Sequence, residues 1–160
     1  NIMSEIRVDA IKTRAGAVPT ANDVGINVTG TVLQVVSTTV GTETSFTSST
    51  YFATSTSVSI TPTSSSSKIL ITAVLPVQCA TSGIIHYTLY RGSTNLGAND
   101  LGRFYDDNNR DNQATMTFLD SPSTTSATTY AVYLRASGGG THYYNINNAK
   151  STIVAQEIAG

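Results

Sequence analysis

KILITAVLPV, residues Lys68–Val77, is the longest nearly unbroken apolar run in the chain, and β-branched residues dominate its first half. Ser64–Ser67 precede it and Pro76 sits near its end, so turn residues bound it on both sides. A short apolar run flanked in this way reads as a strand covered on both faces, although its periodicity alone also fits a buried helix segment. Ile69, Ile71 and Thr72 favour the strand, because branching at Cβ suits a pleated surface. Strand candidates lie before and after it, with no helical period nearby. The run is therefore expected to be the central inner strand of a sandwich, with Leu70 or Ile71 facing outward according to register.

Working backwards from it, Val58 and Ile60 alternate with Ser57, Ser59 and Thr61 as a half-buried strand that Pro62 stops. Tyr51 and Phe52 suggest a short edge, Thr38–Thr50 a polar connection, and VLQVVS (Val32–Ser37) the first strand. Working forwards, a loop around Gly83 follows Pro76. IIHYTLYR (Ile84–Arg91) then places Ile85, Tyr87 and Leu89 on one face and His86, Thr88 and Tyr90 on the other. That second face is also partly apolar, as if it met another sheet or another subunit. Gly92–Asn95 reads as a hairpin turn, and the charged stretch Gly97–Gln113 as a loop.

Gln113–Asp120 groups Met116 with Phe118, and Ala127–Ala136 groups Tyr130, Val132 and Leu134 opposite Tyr133 and Arg135. Gly138–Gly140 form a turn, His142–Ile146 a short strand, and Ser151–Ile158 a closing strand. Short strands with turn signals between them predict an all-β chain, an antiparallel β-sandwich or jelly roll spanning residues 31–160.

Residues 1–30 differ. Ile6, Val8 and Ala10 alternate with Glu5, Arg7 and Asp9, then Ile11, before Gly16, Pro19, Gly25 and Gly30 interrupt the segment. Two readings are open: a frayed terminus, or an extended N-terminal arm that docks on another subunit or a larger particle. A merely disordered tail needs no spaced Ile and Val, which favours the arm, with Ile6, Arg7, Val8, Ala10 and Ile11 as its contact residues.

Only 12% of the 160 residues are charged, against about 25% in ordinary globular chains. Ser, Thr and Asn must make the surface polar. A formal net charge of −1 with no basic stripe argues against nucleic-acid binding, which needs clustered cations. No run reaches the roughly 18 apolar residues of a membrane span, and no signal-peptide pattern opens the chain, so no membrane insertion is expected. A chain lacking its own secretion signal is either cytoplasmic or carried outside within an assembly, and the low charge suits the second. Cys79, the single cysteine, has no metal-ligand spacing around it and reads as a small buried hydrophobe.

Chemistry is sparsely signalled. His86 and His142 lie on strands among tyrosines, as surface or interface residues, and no nucleophile-elbow pattern or zinc spacing accompanies them. The chain is read as non-enzymatic, with no cofactor and no metal. DDNNRDN (Asp106–Asn112) offers carboxylates and amides, but without the calcium-loop pattern and with Arg110 inside it. Tyr105, Tyr143 and Tyr144 suit either stacking on sugars and proteins or ordinary sheet packing. The candidate ligand-binding set is therefore Tyr105, Asp106, Asp107, Asn109, His142, Tyr143 and Tyr144, on the two loop regions.

MSEIRVDAIKTRAGAVPT (Met3–Thr20), INVTGTVLQVV (Ile26–Val36), SSSSKILI (Ser64–Ile71), FLDSPSTTSATTY (Phe118–Tyr130) and STIVAQEIAG (Ser151–Gly160) together resemble short virion proteins of tailed phages, notably marine cyanophages. The likeness covers nearly the whole chain, and its opening segment is the most specific part. The body is also similar in pattern to the C1q/TNF-type jelly roll with an inner final strand. These resemblances imply a virion part, fibre-like, and assign it no ligand. The second, partly apolar face of Ile84–Arg91 suggests self-assembly as a homotrimer, and the expectation is a subunit joined to other virion proteins by its arm and meeting a host-surface glycan or protein through two loop regions, Asp100–Asp111 and Gly138–Asn148. The alternative is a capsid decoration protein, or a filament subunit linked by N-terminal strand donation.

Overall fold

The computed structural model describes residues 29–79, 82–106 and 109–160. The arm residues Ile6, Arg7, Val8, Ala10 and Ile11, and Asp107 of the acidic stretch, lie outside the described residues. The strands are β1 (Val32–Val40), β2 (Thr44–Phe46), β3 (Phe52–Ile60), β4 (Lys68–Cys79), β5 (Gly83–Arg91), β6 (Thr94–Asn95), β7 (Gly102–Asp106), β8 (Asp111–Asp120), β9 (Thr128–Ser137), β10 (His142–Tyr144) and β11 (Ser151–Ile158).

Two antiparallel sheets form. One runs β1-β11-β4-β10-β2 with β8 also on β4; the other runs β3-β9-β5-β6 with β7 also on β5. The pairings nest: β1 with β11, β3 with β9, β4 with β8, β5 with β7. An antiparallel ribbon whose outer strands pair first to last, wound so that its pairs alternate between two layers, is a jelly roll. The expected fold class holds.

The run Lys68–Val77 sits at the centre, between β8 on one side and β11 and β10 on the other. Ile69, Ile71, Ala73, Leu75, Val77 and Cys79 have 0% exposure and face Ile85, Leu89, Tyr130, Val132 and Leu134 of the opposite sheet. Burying each such aliphatic side chain is worth about 1.5–3 kcal/mol. The register is thereby decided: Ile71 points in and Leu70 points out. The outer face is half-buried rather than covered, so the strand is inner by one face only.

Pro76 does not end this strand, which continues to Cys79. Within a strand the N and O of one residue point to the same side. The Pro76 carbonyl accepts the Asn145 N–H at 2.9 Å, so its hydrogen-less nitrogen faces the break between β10 and β11, where no ladder partner waits. That break corrects the expected strand His142–Ile146. The strand stops at Tyr144, and a 3-10 turn, Ile146–Asn148, bulges out before β11 resumes. Asn145, Asn147 and Asn148 all take positive φ, which asparagine tolerates better than most residues.

Three further corrections follow from sheet pairing. The polar stretch 38–50 contains the end of β1 and all of β2, which extends the same edge along β10. Tyr51 precedes a single strand, β3, rather than an isolated edge. The stretch 97–113 is not all loop: β7 pairs with β5, and β8 already starts at Asp111. Arg103 and Tyr105 point to solvent from β7, which is why its charge disguised it. The second face of β5 is met by the chain's own residues 95–100, where the Thr88 hydroxyl donates to Asn95 at 2.7 Å and His86 Nδ1 lies 2.7 Å from Asp100.

The sandwich has two distinct ends. At the Lys68 end lie Ile158, Asp120 and Gly30, whose N–H donates to the Ala159 carbonyl at 2.8 Å; residues 1–28 join here. At the Cys79 end lie Gly83, Asp106, Ser137 and His142. The twelve residues of β4 link the ends, and the eleven rises between Lys68 and Cys79 span about 36 Å at about 3.3 Å each. Replacing Ile71 by Ala is expected to lower unfolding free energy by about 2–5 kcal/mol, and Leu70→Ala by under about 1 kcal/mol. Denaturant titration of both variants checks this: equal losses would mean the register is wrong.

Candidate functional site

Strand register brings the two loop regions together at the Cys79 end. His142 pairs with Cys79, Asp106 with Gly83, and Asp111 with Gln78. The Gln78 and Asn147 side-chain amides both donate to Asp111, at 2.5 and 3.3 Å. Tyr105 is 58% exposed, with its hydroxyl 3.4 Å from that of Ser82. Asn109 is exposed and Tyr143 half-buried. The remaining members turn inward: Asp106 is buried and accepts the Arg110 N–H at 2.6 Å, while His142 and Tyr144 enter the core because alternation along β10 sends them to the same side. Of the candidate set, Tyr105, Asn109 and Tyr143 are thus the described members that reach the surface at this end. Among the described residues no three of His, Cys, Asp and Glu converge as a metal-ligand set.

The expectation of surface histidines fails for both. His86 is 7% exposed and His142 has no exposure. Neither ring nitrogen of His142 has a hydrogen-bond partner. Its ring packs 5.6 Å from that of Phe46 and over Gly83, where an added Cβ would lie 2.5 Å from its Cε1. Burial without a partner penalises the charged ring and holds its pKa below the ordinary imidazole value. Cys79 beside it is the expected buried hydrophobe; burial first, and then the Asp106 charge, push its thiol up to about 11.

A second cluster lies on the outer face of the β5 sheet, and the sequence did not reveal it as a unit. Asp100, in the loop before β7, accepts from Tyr51 Oη, lies 2.7 Å from His86 Nδ1, and pairs with Arg135 Nη2 at 3.3 Å. His86 Nε2 is 2.9 Å from Ser137 Oγ. Burial opposes ionisation of Asp100, but the hydrogen bonds from Tyr51, His86 and Arg135 outweigh it and hold its carboxyl below the usual carboxylate value. Tyr90 stacks on Tyr133 at 3.8 Å, Tyr51 tilts against Tyr90, and Arg135 lies over the Tyr51 ring. The visible signal was the outward alternation of His86 and Tyr90 with Tyr133 and Arg135; Asp100 sits 14 residues from His86 and carries no pattern of its own.

The Lys68 end is held by buried polar contacts. Arg91 Nη1 grips both oxygens of Asp120 at 2.9 and 2.8 Å, and Tyr130 Oη donates to the same carboxylate at 2.7 Å. Glu157 is wholly buried and receives Gln34, the Thr63 N–H and the Thr63 hydroxyl within 2.8 Å. A hollow of about 120 Å³, lined by Leu33, Thr63, Ser64, Ser66, Ser67, Ala159 and Gly160, opens beside it.

No protein-family model matches the chain, and no curated protein does. Among solved structures, it is similar to a chain of the infectious bursal disease virus Gx strain, with 15% identity and a TM-score of 0.48 over 79% of this chain and 33% of that one. A chain of the infectious bursal disease virus VP2 subviral particle gives 14% and 0.47 over 81% and 34%. One from the T13 viral particle of the same virus gives 12% and 0.44 over 97% and 40%. The chain spans about a third to two-fifths of each of these. With scores below 0.5, the fold rests on its own strand order.

Because folded His142 resists protonation while the unfolded chain accepts it, its contribution is intact above the unfolded imidazole pKa of about 6.5 and is lost as pH falls below it. Unfolding free energy is expected to drop by up to about 1.4 kcal/mol per pH unit below that point from this residue. His142→Phe should remove that share of the acid sensitivity in melts recorded between pH 7 and 5; an unchanged pH profile in the variant would refute the assignment.

Proposed function

We propose that the protein is a virion structural component, fibre-like and homo-oligomeric, attached by residues 1–30 and meeting a host-surface glycan or protein through the Cys79 end. The observation that carries this is polarity: the chain enters at one end of the sandwich, and Tyr105, Asn109 and Tyr143 are exposed or half-exposed at the other. A molecule anchored at one end and presenting aromatic and amide side chains at the opposite end has the layout of an attachment protein. The resemblance of the sequence to tailed-phage virion proteins supports the same reading.

Self-association is supported by the outer face of the β4 sheet. Across its rows stand Val35, Gln156, Leu70 and Leu119, then Ser37, Val154, Thr72 and Thr117, then Thr39, Thr152, Val74 and Thr115. No charged residue interrupts them, and Val35 and Leu119 remain 56% and 52% exposed. An uncharged, partly apolar sheet face of this extent is costly to leave in water. In a homotrimer Leu70 would lie toward the three-fold axis.

A second reading, a capsid decoration protein or filament subunit joined by strand donation, is favoured by one feature. β1 stands at the end of its sheet order, with Val32 and Val35 exposed, so a neighbouring arm has an edge on which to pair.

Light scattering at micromolar concentration is expected to give a trimer that Val35→Asp with Leu119→Asp converts to a folded monomer; a monodisperse wild-type monomer would sink the oligomer. Deleting residues 1–16 discriminates the readings, since assembly that survives the deletion rules out strand donation. On a glycan array the full chain is expected to bind, with at least a tenfold loss in Tyr105→Ala and Tyr143→Ala, whereas absence of any bound sugar or cell-surface protein refutes the attachment role.

A further inference from the structure

We propose that Ser137, His86 and Asp100 form a nucleophilic triad on the outer face of the β5 sheet, acting on small acyl esters that reach it from solvent. The inference goes beyond the attachment role and does not depend on it.

The geometry assigns the proton. An ionised carboxylate only accepts hydrogen bonds, so the 2.7 Å contact between Asp100 Oδ2 and His86 Nδ1 requires the hydrogen on Nδ1. Arg135 Nη2, a donor only, also lies 3.1 Å from Nδ1 and 3.3 Å from Asp100 Oδ1; the shorter 2.7 Å contact to the carboxylate decides the tautomer, and Arg135 then donates to Asp100. His86 Nε2 is left with its lone pair toward Ser137 Oγ, 2.9 Å away, and the serine hydroxyl donates to it. This is the tautomer that a general base needs, oriented by an acid whose own position is fixed by Tyr51 and Arg135. His86 is 7% exposed, which shields its ring and its bond to Asp100 from competing water. Triads are defined by mutual geometry and role, so separations of 14 and 51 residues are immaterial.

Access is given by the backbone beyond the nucleophile. Ser137 ends β9 half-exposed and is followed by Gly138, Gly139 and Gly140. Among the described residues an added Cβ at Gly139 would meet nothing within 4 Å, while one at Gly138 would approach only backbone, the Gly83 Cα at 3.2 Å and the Ser82 carbonyl at 3.7 Å.

The steps balance with water alone. Ser137 Oγ bonds to the acyl carbon as its proton passes to His86 Nε2. The ester C–O bond breaks, and the leaving alkoxide takes that proton as an alcohol. Water then attacks the acyl-serine, giving a proton to His86; the acid is released, and Ser137 Oγ recovers the proton.

The test is to treat the full folded chain with a biotinylated fluorophosphonate and locate the label by peptide mass spectrometry, alongside hydrolysis of 4-nitrophenyl acetate. Label at Ser137 is expected, absent in Ser137→Ala and slowed about a hundredfold in His86→Gln and Asp100→Asn, the usual size of a general-base contribution. Thermal melts identify which variants remain folded. Should His86→Gln unfold, the Asp100→Asn variant and the wild-type label still decide. No label at Ser137 in the folded wild type, or label undiminished in a folded His86 or Asp100 variant, overturns the triad and leaves the cluster as a strap holding the loop after β6.

Discussion

Everything in this molecule depends on one unbroken inward row: Ile69, Ile71, Ala73, Leu75, Val77 and Cys79, none with measurable exposure. Because side chains alternate strictly along a strand, burying this row forces Leu70, Thr72, Val74, Pro76 and Gln78 outward together. A slip of one residue would exchange the two faces and place Thr72 and Gln78 in the core without partners. The register of β4 then dictates those of β8, β11 and β10, which pair directly with it. The remaining strands complete the opposite layer against the same row.

Much of this winding was legible in the residues. Lys68–Val77 and Ser151–Ile158 carry β-branched runs, and Val58 with Ile60, or Tyr130 with Val132 and Leu134, show the period of a half-buried strand. What escaped were segments whose pairing is decided by neighbours rather than by their own pattern. β7 reads as a charged loop because Arg103 and Asp106 mask a strand held by β5. The bulge between β10 and β11 needs three asparagines at positive φ, which no periodicity discloses. Pro76 looked like a terminator, yet it sits mid-strand because its nitrogen meets that bulge.

The candidate sites divide along the same line. That the two loop regions lie at one end emerges only from strand register, which pairs His142 with Cys79, Asp106 with Gly83 and Asp111 with Gln78. That His142 and Tyr144 turn inward while Tyr143 turns outward depends on which face of β10 meets the core, and sequence alone left this open. The cluster of Tyr51, His86, Asp100, Arg135 and Ser137 was beyond reach, since its members come from two strands, β5 and β9, and two connecting segments, and are joined only when the second sheet closes. A formal charge of −1 spread over few ionisable groups makes such a concentration of charged and polar side chains on one face distinctive.

The polarity of the sandwich, with residues 1–28 joining at the Lys68 end and exposed side chains about 36 Å away at the Cys79 end, is the claim on which the proposed function rests. Electron microscopy of the native assembly, with a bulky tag inserted at the Gly138–Gly140 turn, tests it most directly. Tag density projecting outward, with the opposite end of the domain seated on the particle, is the result required. Tag density buried against the particle, or between successive subunits of a filament, would contradict it.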